Sequence, residues 1–436
     1  MKNRTTFRRF LTLGLLMIFS LSLFVACGGE NEPTVSPTVR PVRSPANNAK
    51  PDLITEDNKY ANVPIYDKFG AWPQKTGDEY YSSEVGTWYT IWWQAEGHAS
   101  YELWYRSDWT RLKPVDYGYY CSGDTDYLTS VLARMKYIDI DFVMIDDTNS
   151  PETGYYTDIA SNLYRVYKTA SQMDGFAPKL AIATGGAIRD FDNAKQQQSD
   201  FDRYYNSIYK RYTELYYHYE GKPLLLMYVA NKPDVRYQDN KNRFTQRYGT
   251  GFISWQNLSD DTSLYTTQGN WGWVWDMQNE GTEVIGVQPG YNKGHQGPYF
   301  KPFPRDNGVR YTQMWLDAIK KNPQFIMIAS YNDHAEETGW EATTPIRKPI
   351  ASAGQDCEGE DPYVYEKITE AYLALRYGYI EGFYYQVENT KQVYQCVNGY
   401  LEKVKSTAAE KAGEPVILLP EGYIEWELTR DRGTSK

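Results

Sequence analysis

Phe325-Ile326-Met327-Ile328-Ala329-Ser330 is an unbroken apolar run that gives way to Tyr331-Asn332-Asp333-His334-Ala335-Glu336-Glu337-Thr338-Gly339-Trp340-Glu341. A continuous run of this length, rather than an alternating one, suits a strand covered on both faces. Seven upstream runs share the character: Val85–Trp93, Phe142–Asp146, Lys179–Thr184, Pro223–Tyr228, Phe252–Trp255, Trp271–Trp275 and Val284–Gln288. Helix-like segments fall at Asp126–Ile138, Asp158–Met173, Asp200–Tyr219, Tyr311–Lys321 and Tyr363–Tyr377, with Asp124, Asp158 and Asp200 placed as N-caps. Eight strands alternating with helices predict an α/β fold, a (β/α)8 TIM barrel with long loops. Residues 378–436 read as a short C-terminal extension of helix and strand. A doubly wound sheet is the fallback, but no GxGxxG or GxxxxGKS/T motif follows any run, so a nucleotide role has no support.

Outward from the barrel, the N-terminus reads as export machinery. Lys2, Arg4, Arg8 and Arg9 precede an apolar stretch from Phe10 to Ala26, which ends at Cys27 in Leu23-Phe24-Val25-Ala26-Cys27. Small residues before a cysteine at that point resemble a bacterial lipobox, so residues 1–26 are expected to be a lipoprotein signal and Cys27 the lipidation site. Residues 27–60, rich in Pro, Ser and Thr, are expected to form a tether, and residues 61–436 the folded domain. The protein is then anchored in a bacterial cell envelope, outside the cytoplasm, touching the membrane only through lipidated Cys27. One disulfide is possible among Cys121, Cys357 and Cys396, and spacing does not choose the pair.

Composition narrows the partner. The 436 residues carry a formal charge of -10, and loss of the four basic signal residues takes it to -14. Nucleic acid is therefore not an expected partner. The 69 aromatic residues (41 Tyr, 15 Phe, 13 Trp) suit neutral polar rings such as sugars, although for any single ring core packing is the better reading. His98, His218, His295 and His334 are scattered and no CxxC or HExxH spacing occurs, so no metal or other cofactor is expected.

In a barrel of this kind the chemistry gathers where strands end. Those ends hold Asp146, Asp147 and Asn149, then Trp255, Gln288 and Tyr291, then Asn332, Asp333, His334, Glu336 and Glu341, with Trp88 on the first run. Asp146 and Asp147 point to opposite sides if both stay in the strand. Asp333 and Glu336, three apart on a turn, lie on one side, where crowding and burial would keep one protonated as an acid and leave the other as a base.

Residues 328–341 resemble the S-W-N-E-W-H-E-G-T-x-x-E signature of glycoside hydrolase family 99 and related family 71-like proteins. Gly286-Val287-Gln288-Pro289-Gly290-Tyr291-Asn292 is similar to the family's V-x-P-G-F/Y-N/D strand end. Tyr119-Tyr120-Cys121-Ser122-Gly123-Asp124 followed by Val143-Met144-Ile145-Asp146-Asp147 fits the same pattern. The resemblance implies a (β/α)8 barrel acting on glycans, in family 99 on α-mannosides in endo fashion. It puts the catalytic base at Asp333, the acid at Glu336 and the last acidic position at Glu341. Asp333 replaces a longer Glu, His334 and Ala335 replace Trp-His, and Glu337 replaces Gly. The expected activity is hydrolysis of α-linked, mannan-like or glucan-like polysaccharides or oligosaccharides by a monomer. Asp146, Asp147, Asn149, Trp88, Trp255, Gln288, Tyr291, Asn332, His334 and Glu341 are expected to bind substrate. The alternative is a glycan-binding lipoprotein without catalysis on the same barrel.

Overall fold

A computed structural model describes residues 53–73, 80–94, 110–148, 157–185, 194–228, 238–249, 271, 283–292, 304–346 and 359–423. Its centre is one parallel array. Strands β1 (Glu84–Thr90), β3 (Phe142–Asp146), β4 (Lys179–Gly185), β6 (Lys222–Tyr228) and β7 (Thr245–Gly249) follow one another side by side. On the other side of β1 lies β9 (Phe325–Ile328), and beyond it β8 (Val284–Val287). The strand between β1 and β3 in sequence, β2 (Leu112–Pro114), pairs instead with β10 (Thr343–Pro345) outside this array. A two-residue strand, β5 (His218–Tyr219), adds to β6 antiparallel.

The order separates two architectures. In a doubly wound sheet the winding reverses beside the first strand; here the last strand returns to β1, with Glu84, Val85, Gly86 and Thr87 in register with Phe325, Ile326, Met327 and Ile328. The winding therefore keeps one sense, as it does around a curled sheet. Gly86 faces this crowded seam: a Cβ there would come within 2.5 Å of Met327 Sδ and of Phe142 Cζ.

Helices α1 (Thr125–Tyr137) and α2 (Thr157–Ser171) link β1 to β3 and β3 to β4. Asp124 caps α1 as expected, accepting from the Asp126 and Tyr127 amides. Asp158 does not cap α2 but is its second residue. The expected helix Asp200–Tyr219 is displaced: α3 spans Ala194–Arg203 and runs into a π-helical turn at Tyr204–Tyr209. Asp200 is thus inside the helix, its N-terminus having been hidden in the polar but helix-favouring Lys195-Gln196-Gln197-Gln198. Helices α4 (Val309–Lys321) and α5 (Val364–Ala374) sit close to their expected bounds.

Two other readings change. The expected fifth strand, Phe252–Trp255, lies outside the described residues, as does the sixth apart from Trp271; β7, in the polar Thr245-Gln246-Arg247-Tyr248-Gly249, is a strand that the apolar runs do not indicate. Backbone pairing to β6 and the Arg247–Glu283 ion pair at 2.7 Å hold it there. The C-terminal extension is mainly sheet: β11 (Tyr384–Val387), β12 (Val393–Val397), β13 (Tyr400–Val404) and β14 (Val416–Leu419), in the order β13-β12-β11-β14, with one short helix, α6 (Ala408–Ala412). Tyr385, Ile417 and Leu419 belong to the same apolar core as the parallel strands.

The folded domain also begins before residue 61. Lys59 pairs with Asp124 at 2.6 Å, and the Tyr60 ring packs edge-on against Tyr117. Part of the expected tether is therefore docked against α1. Cys121 and Cys396 are buried thiols, and Cys357 and Cys27 lie outside the described residues.

Candidate functional site

The chain leaves β9 into a loop that folds back on itself. Ser330 N–H donates to the Thr338 carbonyl (3.0 Å), Trp340 N–H to the Ser330 carbonyl (2.9 Å), and Tyr331 N–H to the Trp88 carbonyl (2.7 Å). Residues 331–337 thus form a tip fixed to β1 at its base. Within it, the Asp333 carboxylate accepts the Glu336 backbone N–H at 3.0 Å. The spacing of three is realised as a turn in which the first acid orders the backbone of the second. Asp333 is 1% exposed, whereas Glu336 is only half-buried.

Glu337 is gripped from several sides. Its backbone is left-handed at φ 56°, a conformation easy for glycine and unfavourable for other residues. Arg111 donates to both carboxylate oxygens, through Nε and through Nη2 at 2.6 Å, and Asn292 Nδ2 adds a bond at 3.2 Å. Arg305, stacked on the Tyr365 ring, donates to the Glu337 and Gly339 carbonyls at 2.8 and 2.9 Å. Asn292 N–H donates to the Glu336 carbonyl at 2.8 Å. Burial pushes the Glu337 carboxyl above its ordinary value against the pull of Arg111.

Asp146 ends β3 beside this loop. Its Oδ1 accepts from Thr148 N–H (3.0 Å) and Thr148 Oγ1 (2.6 Å), and burial raises its pKa to about 6. The Thr148 hydrogen bonds pull the other way, while the charges of Asp147 and Glu336 add to the rise. That influence puts Asp146 and Glu336 in one electrostatic neighbourhood. Asp147 is turned elsewhere, accepting from Tyr204 OH (2.6 Å) and Arg203 Nη2 (3.2 Å), as strand alternation requires.

Beneath the tip, Glu341 is 1% exposed and receives His334 Nε2 at 2.7 Å, Tyr120 OH at 2.8 Å, Tyr331 OH at 3.3 Å and Tyr127 OH at 3.4 Å. Burial raises its pKa, with His334 opposing. Asn332 straps the loop to β1: its Oδ1 accepts Thr90 N–H (2.8 Å), its Nδ2 donates to the Thr90 carbonyl (3.1 Å), and its own carbonyl accepts Trp93 Nε1 (2.8 Å).

The expected sugar-contacting set thereby divides. Asp333 and Glu336 share one turn after β9, and the Glu336 charge reaches Asp146 at the end of β3. Trp88 does not join them as a stacking surface: it is fully buried, and its indole N–H donates to the Trp271 carbonyl at 2.8 Å. Its strand position faces inward, where a large ring fills the core. Asn332, His334 and Glu341 sit below the surface in the network just described, and Gln288 and Tyr291 are 1% exposed, with Gln288 Nε2 donating to the Gly290 carbonyl at 2.9 Å. Asn149 and Trp255 lie outside the described residues. Arg111, Arg305 and the tyrosines around Glu341 are not among the expected site residues; of these Tyr120 and Tyr331 carry a signal, in the Tyr119-Tyr120-Cys121 stretch and in the 328–341 signature.

No family model matches the sequence, and no curated protein matches it. In shape the chain is similar to the GH99 endo-alpha-mannosidase from Bacteroides thetaiotaomicron, at 15% identity over 68% of this chain and 98% of that one, with a TM-score of 0.47. It is likewise similar to that enzyme in complex with BIS-TRIS-propane (15% identity, the same coverage, TM-score 0.50) and to a glycoside hydrolase-like protein (13% identity, 68% and 95% coverage, TM-score 0.40). At such identity the likeness bears on the fold.

Proposed function

We propose that the protein is a glycoside hydrolase acting on α-linked, mannan-like or glucan-like glycans, with Glu336 as the acid that protonates the departing glycosidic oxygen and Asp333 as the base. The observation that carries this reading is the turn after β9 in which Asp333 accepts the Glu336 amide, with Asp333 buried and Glu336 retaining solvent access. Two carboxyls suffice for such cleavage, so no cofactor enters. The order of the parallel strands supports a closed (β/α)8 barrel. Cys27 is proposed as the lipidated anchor of an extracytoplasmic monomer.

The second reading is a glycan-binding protein without catalysis. It is favoured by Asp333, whose Oδ1 is already occupied by the Glu336 amide and whose side chain is enclosed. Incubating α-mannans and α-glucans with the wild type, Glu336→Gln and Asp333→Asn tests both. Release by the wild type that falls by roughly a hundredfold or more in Glu336→Gln supports the acid assignment; release unaffected by either substitution removes it. Binding with no release by any form selects the second reading. Cys27→Ser moves the protein from the membrane to the soluble envelope fraction if the anchor is correctly placed.

A further inference from the structure

At the opposite end of the parallel sheet lies a groove of about 690 Å³. Lys136 comes to it from the last turn of α1 and Lys179 from the first residue of β4, while Lys210, Arg211, Tyr212 and Glu214 come from the segment after the π-helical turn. This is the face where strands begin, away from Asp146 and Glu336. Four cations and one carboxylate among these residues run against the balance of a chain with 56 acids and 46 bases.

Several basic side chains elsewhere are matched to acids: Lys68 to Asp116 and Glu366, Arg243 to Asp239, Lys367 to Asp361, Arg376 to Asp139. In the groove Lys179 donates to the Glu214 backbone carbonyl, Lys210 to Asn206 Oδ1 at 3.0 Å, and Arg211 lies 5.4 Å from the Tyr212 ring centroid. None of the four has a carboxylate ion-pair partner among the described residues. Lys136 offsets the partial negative end of α1, and Lys210 and Arg211 stand at the C-terminal end of the helix that closes in the π-helical turn, which leaves Lys179 as the cation without a helix end beside it.

We propose that this groove binds an anionic glycan, a saccharide chain bearing carboxylate or sulfate groups. The ammonium groups and the guanidinium supply charge-assisted hydrogen bonds to the anions, and Tyr212 offers an aromatic face at the groove wall for a sugar ring. Concavity favours a chain laid along the groove over a flat charged surface. This site is separate from the proposed hydrolytic one and does not rest on it.

The test uses the full chain carrying Cys27→Ser, so that no acyl chain contributes, with and without Lys210→Glu/Arg211→Glu. Oligogalacturonate, dextran sulfate, neutral dextran and phosphatidylglycerol vesicles are titrated by calorimetry. Binding of oligogalacturonate or dextran sulfate, weakening as salt rises from about 0.05 to about 0.3 M, and lost by roughly tenfold or more in the charge-reversed form, is the expected result. Neutral dextran should not bind. Melting curves of the two forms should coincide, since both side chains are exposed. Lys136→Gln, which removes a side chain without a hydrogen-bond partner in the groove, should cause a smaller loss. Absence of polyanion binding, binding unchanged by the charge reversal, or charge-dependent binding to vesicles alone each overturns the proposal.

Discussion

Arg111 closes on the carboxylate of Glu337, the residue next to the proposed acid, while Glu337 itself holds a left-handed backbone at φ 56°. The resembling signature has glycine there, which adopts this conformation freely. In this chain a glutamate occupies the same turn and is secured by a buried ion pair that ties the tip of the β9 loop to the strand region around Leu112–Pro114.

Removing one partner should therefore be costly. Arg111→Gln leaves the Glu337 carboxylate enclosed without its counter-ion and is expected to lose about 3–5 kcal/mol of stability. Arg111→Gln/Glu337→Gly removes both charges and gives the turn its natural residue, so most of that loss should be recovered. Urea unfolding of the three forms checks this; a double variant as unstable as the single one contradicts it.

The Asp146 carboxyl predicts a pH dependence. Its pKa in the folded chain is about 6, above the ordinary 3.8, so the native state holds the proton more tightly than the unfolded one. Stability from this group is present below about pH 4 and is lost as pH rises through about 6, by on the order of 3 kcal/mol at most. Asp146→Asn preserves an acceptor for Thr148 and removes the titration. Its stability relative to wild type should rise between about pH 4 and about pH 6 and then level off, as read from denaturant midpoints.

Gly86 sits where no side chain fits. Gly86→Ala would drive a methyl to 2.5 Å from Met327 and Phe142, on the seam shared by β9, β1 and β3. Overpacking of this kind costs about 1–3 kcal/mol. A shift in unfolding midpoint much smaller than this would mean that the seam yields more readily than the packing indicates.

Asn332 satisfies both backbone groups of Thr90 with one amide. Asn332→Ala leaves a buried N–H and a buried carbonyl without it, a loss of about 1–3 kcal/mol for each group that stays unsatisfied. Amide hydrogen exchange at Thr90 should accelerate along with the fall in stability. Unchanged exchange would show that the strap is dispensable.

The parts that sequence revealed are those where local pattern and tertiary role agree. Phe142–Asp146 and Phe325–Ile328 are apolar throughout because both faces are covered, and the alternation that separates Asp146 from Asp147 follows from the strand alone. Thr245–Gly249 escaped notice because Arg247 is stabilised by Glu283 and Glu220, which no local pattern discloses. The clamp on Glu337 was hidden for a similar reason: Arg111 and Arg305 are far from it in sequence, and only the fold brings them to it. Trp88 misled in the other direction, since an indole on a strand suits a sugar or a core equally well until its orientation is known.

The pairing of β1 with β9 also governs how the chain is completed. The two partners are separated by more than half the sequence, so one edge of β1 has no strand beside it until Phe325–Ile328 has been synthesised. High contact order of this kind slows folding. A polypeptide interrupted before Phe325 would present an apolar strand edge open to other chains, a liability for aggregation. Late arrival of the strand that closes on β1 makes this a protein whose safe folding depends on synthesis passing Ile328.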